Sequence, residues 1–380
     1  MRILFFSAFF QAKGHETYLS DEIKGVAEKY PLTQFLVYTT NSERNSTKKL
    51  SKNILWVERK NLKNIQVIIL FLKEMIKIFT KFKPNVVHST YVLESLIMGF
   101  IGRVFRVPTI LHGRGTDLNY YPFLSLRKNI IARISCRLNK KILTVSKTMK
   151  REVMRLNVPE KKIQHIYNGV DNKLFQPKLR RNYSNIKRFE LIHIGRYSPE
   201  KCQDLMIKVV KDLKDNGFNV HLTLIGFGHK ILRDNLIGHE VKKEIVKLIT
   251  RYNLESQISL LGFVDHDKIP EYLERAHIYI QPSLTEGLPN SVLEAMCMEL
   301  PIIMTKAGGM RELNIKPGII LIEKNNQKQL YNAIIYFIKN PNIMKVGGKK
   351  NREFIKNNFN WDIHAKKLYN IYTELMQITD

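Results

Sequence analysis

Two carboxylates, Glu286 and Glu294, flank the segment Gly-Leu-Pro-Asn-Ser-Val-Leu. Pro289 disfavours helix for the residue before it, and Asn290 is a good N-cap. The spacing therefore predicts Glu286 in a loop and Glu294 within the first two turns of a helix. A helix N-terminus presents unpaired N–H groups and a positive dipole end, which together cradle phosphate. Acids on either side can hold hydroxyl groups, so the segment suits a polyhydroxylated ligand with a central phosphate, such as a nucleotide sugar. A second group, Gly195-Arg196-Tyr-Ser-Pro-Glu-Lys201, follows an apolar run. Ser198 is expected to cap a helix with Pro199 at its first position, which puts Lys201 in the first turn, where a cation opposes the dipole. An anion that neutralised Lys201 and Arg196 together would resolve that conflict. Two exposed surface cations are the alternative reading.

The elements that must position these groups follow from the apolar pattern. Short runs at Ile3–Ser7, Phe35–Thr39, Val86–His88, Thr109–His112 and Lys141–Val145 predict strands in the first half. In the second half the runs are Glu190–Ile194, His221–Ile225, Ile258–Leu261, Ile278–Gln281, Ile302–Thr305 and Ile319–Ile322. Amphipathic segments separate most of them, so the chain reads as two Rossmann-like βαβ domains with parallel sheets. Residues 1–178 form the expected N-terminal domain and 183–360 the C-terminal one, joined by the polar stretch Asp171–Lys187. The segment from Trp361 is amphipathic and is expected to close the chain as a helix (361–380) packed back on the first domain. In open parallel sheets ligands bind beyond the carboxyl ends of strands, where Arg196, Lys201 and Glu286 all fall.

Composition narrows the classes. With 44% apolar and 25% charged residues over 380 positions, the chain can bury two cores and is not a disordered polyelectrolyte. Three scattered cysteines argue against a disulfide framework or a structural zinc site and fit a reducing, cytoplasmic setting. No run reaches the length of a membrane span, and the apolar N-terminus reads as a first strand. The first 178 residues hold 32 Lys+Arg against 12 Asp+Glu, so most of the net +28 lies there and points to an anionic partner. Two basic amphipathic stretches carry much of it. One has Ile65, Ile68, Ile69, Leu72, Ile76 and Phe79 with Lys63, Lys73, Lys77 and Lys81. The other has Ile130, Ile131, Ile134 and Leu138 with Arg127, Lys128, Arg133, Arg137, Lys140 and Lys141. Each either lies on an anionic membrane or buries its apolar face and solvates its cations.

An ordered set of segments resembles the retaining glycosyltransferases of family 4. It comprises Asn168-Gly-Val-Asp171, Gly195-Arg196 with Lys201, Gly226-Phe-Gly228, Leu261-Gly-Phe-Val264, Gln281-Pro-Ser283, Glu286 through Met296, Pro301, and Gly308-Gly309 with Glu312. The resemblance implies a GT-B fold, with two Rossmann-like domains facing across a cleft. Arg196 and Lys201 would bind the donor diphosphate and stabilise the leaving nucleotide. Glu286 would contact the transferred sugar, with the backbone of Gly287 and Leu288 beside it. Glu294 would hold the ribose, Phe263 and Val264 would pack near the base, and Gly226 would belong to the same donor site. In the first half, His112-Gly-Arg-Gly-Thr-Asp117 looks like the family's His-Gly segment, whose His approaches the sugar. That makes His112 a catalytic candidate and places Arg114 and Asp117 on the acceptor side or in the cleft. Gly14 and His15 lie where the family has a Gly-rich loop after the first strand; only one glycine is present here, and an unrelated acceptor loop is equally open. One departure is Glu299, where the family usually has Gly at a helix end. Gly suits a left-handed cap at little cost, whereas Glu does not.

The expected activity is transfer of a sugar, with retention, from a nucleotide diphosphate sugar to a hydroxyl of a glycan or lipid-linked acceptor, in bacterial cell-surface polysaccharide synthesis. No metal and no cofactor are expected, the cationic side chains and helix N-termini taking the metal's part. The expected location is cytoplasmic, peripheral on the inner face of the plasma membrane, with no nucleic-acid partner. Three readings compete. A GT-B epimerase would convert the donor without acceptor, a nucleic-acid binder would use the basic first half, and a silent glycan-binding relative would lack turnover.

Overall fold

The computed structural model describes residues 1–7, 13–41, 46–60, 65–179, 181, 183, 186–226 and 234–377. The chain divides into two compact units, Met1–Gly169 with Trp361–Asp380, and Val170–Asn360. The first runs β1 (Arg2–Ser7), α1 (Lys13–Lys29), β2 (Gln34–Asn41), β3 (Ser46–Ser51), β4 (Ile54–Lys60), α2 (Ile65–Lys77), β5 (Val86–Thr90) and α3 (Val92–Val104). It continues through β6 (Thr109–Gly113), α4 (Thr116–Asn119), α5 (Leu126–Leu138), β7 (Lys141–Thr144), α6 (Lys147–Met154) and β8 (Ile163–His165). Among the described residues these strands form one eight-stranded sheet in the order β3-β4-β2-β1-β5-β6-β7-β8. All pair in parallel except β3, which lies antiparallel on β4. β3 reads Ser-Thr-Lys-Lys-Leu-Ser and escapes an apolar-pattern reading because an edge strand is kept polar and charged.

Strand order reverses between β1 and β5, the crevice position of a doubly wound sheet. The central strands β1, β5 and β6 are buried along nearly their whole length, as expected for strands covered on both faces. One face is covered by α1 and by the closing helix α13 (Trp361–Gln377). Leu368, Ile371, Tyr372 and Leu375 of α13 bury against Leu19, Ile23 and Val26 of α1 and the strands beneath. At roughly 1.5–3 kcal/mol for each such aliphatic side chain, this contact is a main support of the unit. Tyr30 stacks on Tyr369 at 3.7 Å, and Lys29 pairs with Asp362 at 3.0 Å.

The second unit comprises β9 (Phe189–Ile194), α7 (Gln203–Asp215), β10 (Val220–Ile225), α8 (Asp234–Arg251), β11 (Ile258–Leu261), α9 (Ile269–Arg275) and β12 (Ile278–Gln281). It ends with α10 (Asn290–Cys297), β13 (Ile302–Thr305), β14 (Ile319–Ile322), α11 (Gln327–Lys339) and α12 (Pro341–Asn358). Among the described residues the sheet is wholly parallel, ordered β11-β10-β9-β12-β13-β14, with its switch point between β9 and β12. The stretch expected to be a free linker belongs to this unit. Phe175 is buried, and the Arg181 guanidinium donates to the carbonyls of Leu273 (2.7 Å) and Ala276 (3.1 Å).

Glu299 adopts φ +61° at the end of α10. Glu299 N–H donates to the Met296 carbonyl (3.1 Å) and Leu300 N–H to that of Ala295 (3.0 Å), which is a Schellman turn with Glu at the left-handed position. A side chain there costs about 1 kcal/mol relative to Gly, and its carboxylate recovers little from Arg352, 4.0 Å away and partly exposed. Glu299→Gly should therefore raise stability by about 1 kcal/mol in urea titration; a loss of stability would show that the Arg352 contact outweighs the strain.

Candidate active site

In the second unit the site is assembled from the carboxyl ends of β9 and β12. After β9 the chain passes Gly195 and Arg196, makes a single 3-10 turn over Pro199–Lys201, and enters α7 only at Gln203. Cys202, at φ +54°, separates the turn from the helix, and Ser198 makes no side-chain cap bond. Lys201 thus precedes α7 instead of occupying its first turn, and its conflict with the dipole does not arise. Its countercharge is internal. Lys201 Nζ lies 2.5 Å from Glu286 Oε1. Arg196 stands half-exposed, its guanidinium 3.6 Å from Glu200.

Glu286 is buried, and burial opposes its charge. Lys201, with side-chain hydrogen bonds from Lys201, Ser283 and Gln281, outweighs that and holds the carboxyl below its usual range. Gln281 Nε2 donates to Glu286 Oε1 (2.8 Å) and to Ser283 Oγ (2.9 Å), while Tyr279 OH lies 2.9 Å from Gln281 Oε1 and 2.8 Å from Ser291 Oγ. The loops themselves are fixed by close backbone crossings. A Cβ on Gly226 would stand 2.0 Å from the Gly195 carbonyl oxygen, and one on Gly308 (φ +49°) 1.8 Å from that of Glu286. Gly309 N–H donates to the Gly287 carbonyl (2.8 Å), and Leu284 N–H to that of Glu200 (2.8 Å). Two of the sequence's recurrent glycine positions are thus sites where only a backbone fits.

Helix α10 begins at Asn290 with Pro289, not Asn290, at the N-cap and no side-chain cap bond. Proline's fixed φ pre-sets the turn, so the Asn side chain is not needed there. Glu294 falls in the second turn, buried, with His266 Nε2 2.8 Å from its Oε1. His266 was silent in sequence, since a lone His after a strand-end loop carries no pattern. Gly287 and Leu288 are buried; Phe263 is exposed and Val264 half-buried in the loop after β11. Phe227 and Gly228 lie outside the described residues.

In the first unit His112 is fully buried near the carboxyl end of β6, and the Arg114 guanidinium contacts Glu22 of α1. Glu22 Oε1 also takes a hydrogen bond from His364 Nε2 (2.8 Å), and His88 Nε2 lies 3.0 Å from His112 Nδ1 with Tyr372 OH 2.7 Å from its other nitrogen. Arg114 has only donors and its Nη2 reaches His112 Nδ1 at 3.4 Å. His112 Nδ1 is therefore the acceptor, which makes His88 Nε2 a donor and turns the Tyr372 hydroxyl toward His88 Nδ1. Burial, reinforced by Arg114, pushes the His112 pKa well down, and burial pushes His88 down to about 3, so both rings are neutral. The proton of His112 then sits on Nε2, which is buried without a hydrogen-bond partner among the described residues.

Glu22, His88 and His112 bring ligand-type atoms within 4.8 Å of one another. Those atoms are already held by Arg114, His364 and the imidazole–imidazole bond, so the set serves as a hydrogen-bond network. Arg114 and Asp117, expected on the acceptor side or in the cleft, each have a partner within the unit. Arg114 is the countercharge of Glu22, and Asp117 Oδ2 accepts from Val92 N–H (3.0 Å) at the start of α3. Gly14 and His15 belong to the first turn of α1, which begins at Lys13, and not to the loop ahead of it. Glu22, His88, His364 and Tyr372 escaped the sequence reading. The one signal was a carboxylate, Glu22, inside the apolar stripe Leu19–Ile23–Val26.

Two doubly wound units with a cationic and carboxylate-lined strand-end site define a GT-B glycosyltransferase. Residues 175–361 match the family described as Glycosyl transferases group 1, and residues 12–174 match Glycosyltransferase Family 4. The chain belongs to the group 1 glycosyltransferases. It is 27% identical over 297 residues to an uncharacterised glycosyltransferase of Methanocaldococcus jannaschii, covering 77% of this chain and 76% of that protein. The amylovoran biosynthesis glycosyltransferase AmsK of Erwinia amylovora is 26% identical over 54% of this chain and 48% of its own length. Among solved structures, sucrose-phosphate synthase from Thermosynechococcus elongatus superposes with TM-score 0.85 at 18% identity, over 99% of each chain. Anabaena HepE in complex with UDP and glucose superposes with TM-score 0.80 at 19% identity, over 98% of this chain and 100% of that one.

Glu22→Gln leaves the buried Arg114 without its countercharge and should cost about 3–5 kcal/mol in chemical denaturation. Glu22 is held well below its ordinary pKa of 4.5 by Arg114 and His364 despite burial. Its stabilisation is therefore present above about 4.5 and lost as pH falls through the folded value. Wild-type stability should drop on acidification from there more steeply than that of the Gln variant. Parallel slopes would remove Glu22 as the source.

Proposed function

We propose that this glycosyltransferase moves a sugar, with retention, from a nucleotide diphosphate sugar to a hydroxyl of a glycan or lipid-linked acceptor. The observation that carries the reading is the Lys201–Glu286 pair at the switch point of the second sheet, with Arg196 half-exposed on the same strand-end loop as Lys201. On this reading Lys201 and Arg196 meet the diphosphate and stabilise the negative charge that grows on it as the C1–O bond breaks. The acceptor oxygen bonds to C1 on the same face, and its proton passes to the departing phosphate oxygen. Glu286, held ionised, positions sugar hydroxyls and is neither acid nor nucleophile. Glu294 and His266 hold the ribose, and neutral His112 presents its Nε2 proton to a sugar oxygen. Cationic side chains do the electrostatic work, so no metal or other cofactor is assigned. HepE, of the same fold, is described in complex with UDP-glucose, which supports the choice of donor class.

The acceptor is proposed to be met at an anionic membrane on the cytoplasmic side, in polysaccharide synthesis. Among the described residues no helix is long and apolar enough to cross a membrane. Helix α5 packs on α3 through small residues. A Cβ on Gly99 would stand 2.8 Å from that of Leu138, and Ala132, Ser135 and Cys136 are buried. This leaves Leu126 (78% exposed), Ile130 and Ile134 facing solvent beside Arg127 and Arg133, with Phe100 and Val104 (78%) of α3. The apolar face of α5 is thus largely outside the core, and an exposed apolar stripe flanked by cations suits an anionic lipid surface.

Glu286→Gln and Lys201→Ala should each lower kcat by about 10²–10³ with the circular dichroism spectrum unchanged. Turnover near wild type in either variant removes the assignment, and a product of inverted anomeric configuration by NMR removes retention. Arg127→Glu with Arg133→Glu should abolish sedimentation with phosphatidylglycerol vesicles while leaving donor hydrolysis intact; undiminished sedimentation would return α5 to an ordinary solvated face.

A further inference from the structure

The first unit has a cationic centre at the opposite end of its sheet from His112. Where α3 and α5 end and β6 and β7 begin, a cavity of about 280 Å³ is lined by Arg103, Arg106, Arg137, Lys140 and Lys162 with no acidic residue among its walls. Both helices point their carboxyl ends here, and two of the five cations answer those carbonyls. Arg103 donates to the Arg137 carbonyl (3.2 Å), and Lys162 to those of Cys136 (2.8 Å) and Arg137 (3.2 Å). The side chains of Arg106, Arg137 and Lys140 have no hydrogen-bond or ion-pair partner among the described residues. Lys162, half-buried, has its pKa lowered by burial and by the neighbouring Arg103, Lys140 and Arg137, as crowding without a counterion requires.

The geometry points to a phosphate-binding pocket at the amino ends of β6 and β7. A dianionic phosphate brings the charge that three unpaired cations lack, and guanidinium forks match its oxygens. The pocket is built from packed elements, not from a mobile face. A Cβ on Gly102 would meet Thr109 at 2.3 Å and the Val107 carbonyl at 2.8 Å, and Lys140 N–H is tied to the Thr109 carbonyl at 2.8 Å. It opens at the ends of the same two helices whose exposed faces carry Phe100, Val104 and Ile134. The phosphate therefore has two sources, a lipid phosphomonoester headgroup or a soluble phosphate compound. Neither depends on the donor site.

The test uses the full chain with Arg196→Gln and Lys201→Gln as background, so that the donor-site cations do not contribute. Inorganic pyrophosphate, titrated by calorimetry in low-salt buffer, should bind this background. Adding Arg106→Gln and Lys140→Gln, both exposed and outside the catalytic machinery, should weaken binding at least tenfold with an unchanged circular dichroism spectrum. In parallel, vesicles containing phosphatidic acid are compared with phosphatidylglycerol vesicles of matched charge. Loss of a phosphatidic-acid preference in the Arg106/Lys140 variant assigns a lipid headgroup. Loss of pyrophosphate binding alone assigns a soluble phosphate. No pyrophosphate binding in the background and no phosphatidic-acid preference, or both unchanged in the variant, would overturn the pocket.

Discussion

Lys201 and Glu286 are 85 residues apart in sequence and share a hydrogen bond only because β9 and β12 are neighbours at the reversal of strand order. The local architecture of the second unit is arranged around making that contact tolerable. A buried ion pair loses its hydration, and the Coulomb attraction repays this only if the remaining hydrogen-bonding capacity is met. Gln281 supplies part of it, Ser283 another part, and the Tyr279–Ser291 contact orients Gln281 from below. The Leu284–Glu200 backbone bond ties the two loops so that neither charge can leave alone. The ion pair also fixes the state of both groups: Lys201 is held in place and Glu286 is kept ionised.

The second unit was largely legible because its chemistry is local in sequence. β9 and β12 each end in a short loop bearing a candidate side chain, and Gly226 and Gly308 stand where such loops cross. What failed there were single-turn details. Ser198 and Asn290 both have good capping chemistry, yet Cys202 in a left-handed conformation and Pro289 at the cap decide where the helices begin. Glu299 shows the opposite case, in which a wrong residue for a left-handed turn was readable as a departure and the turn formed regardless. Packing of Gly348 against the Glu299 carbonyl, where a Cβ would stand 2.0 Å away, holds that geometry.

The first unit was less legible for a physical reason. Its buried polar network draws on α1, β5, β6 and α13, so its members span from Glu22 to Tyr372. No window of sequence contains two chemically related partners except His112 and Arg114. Those two were noticed, but the carboxylate that balances Arg114, Glu22, lies far upstream and was not. Tyr372 sits among the apolar positions of the closing amphipathic helix, and its hydroxyl is silent in any periodicity.

The sheet of the first unit therefore treats charge differently at its two ends. At the carboxyl end a carboxylate is placed between an Arg and a His, and the Tyr372–His88–His112 chain stays neutral, every bond running one way because Arg114 can only donate. At the amino end five cations line a pocket that has no carboxylate in its walls. Composition alone reported one basic half. The fold separates that charge into an outward stripe beside exposed apolar side chains, a basal pocket and a single Arg spent on balancing Glu22. The end nearest His112 is thus built from neutral imidazoles beside the Glu22–Arg114 pair, while unpaired cations collect at the other end of the sheet.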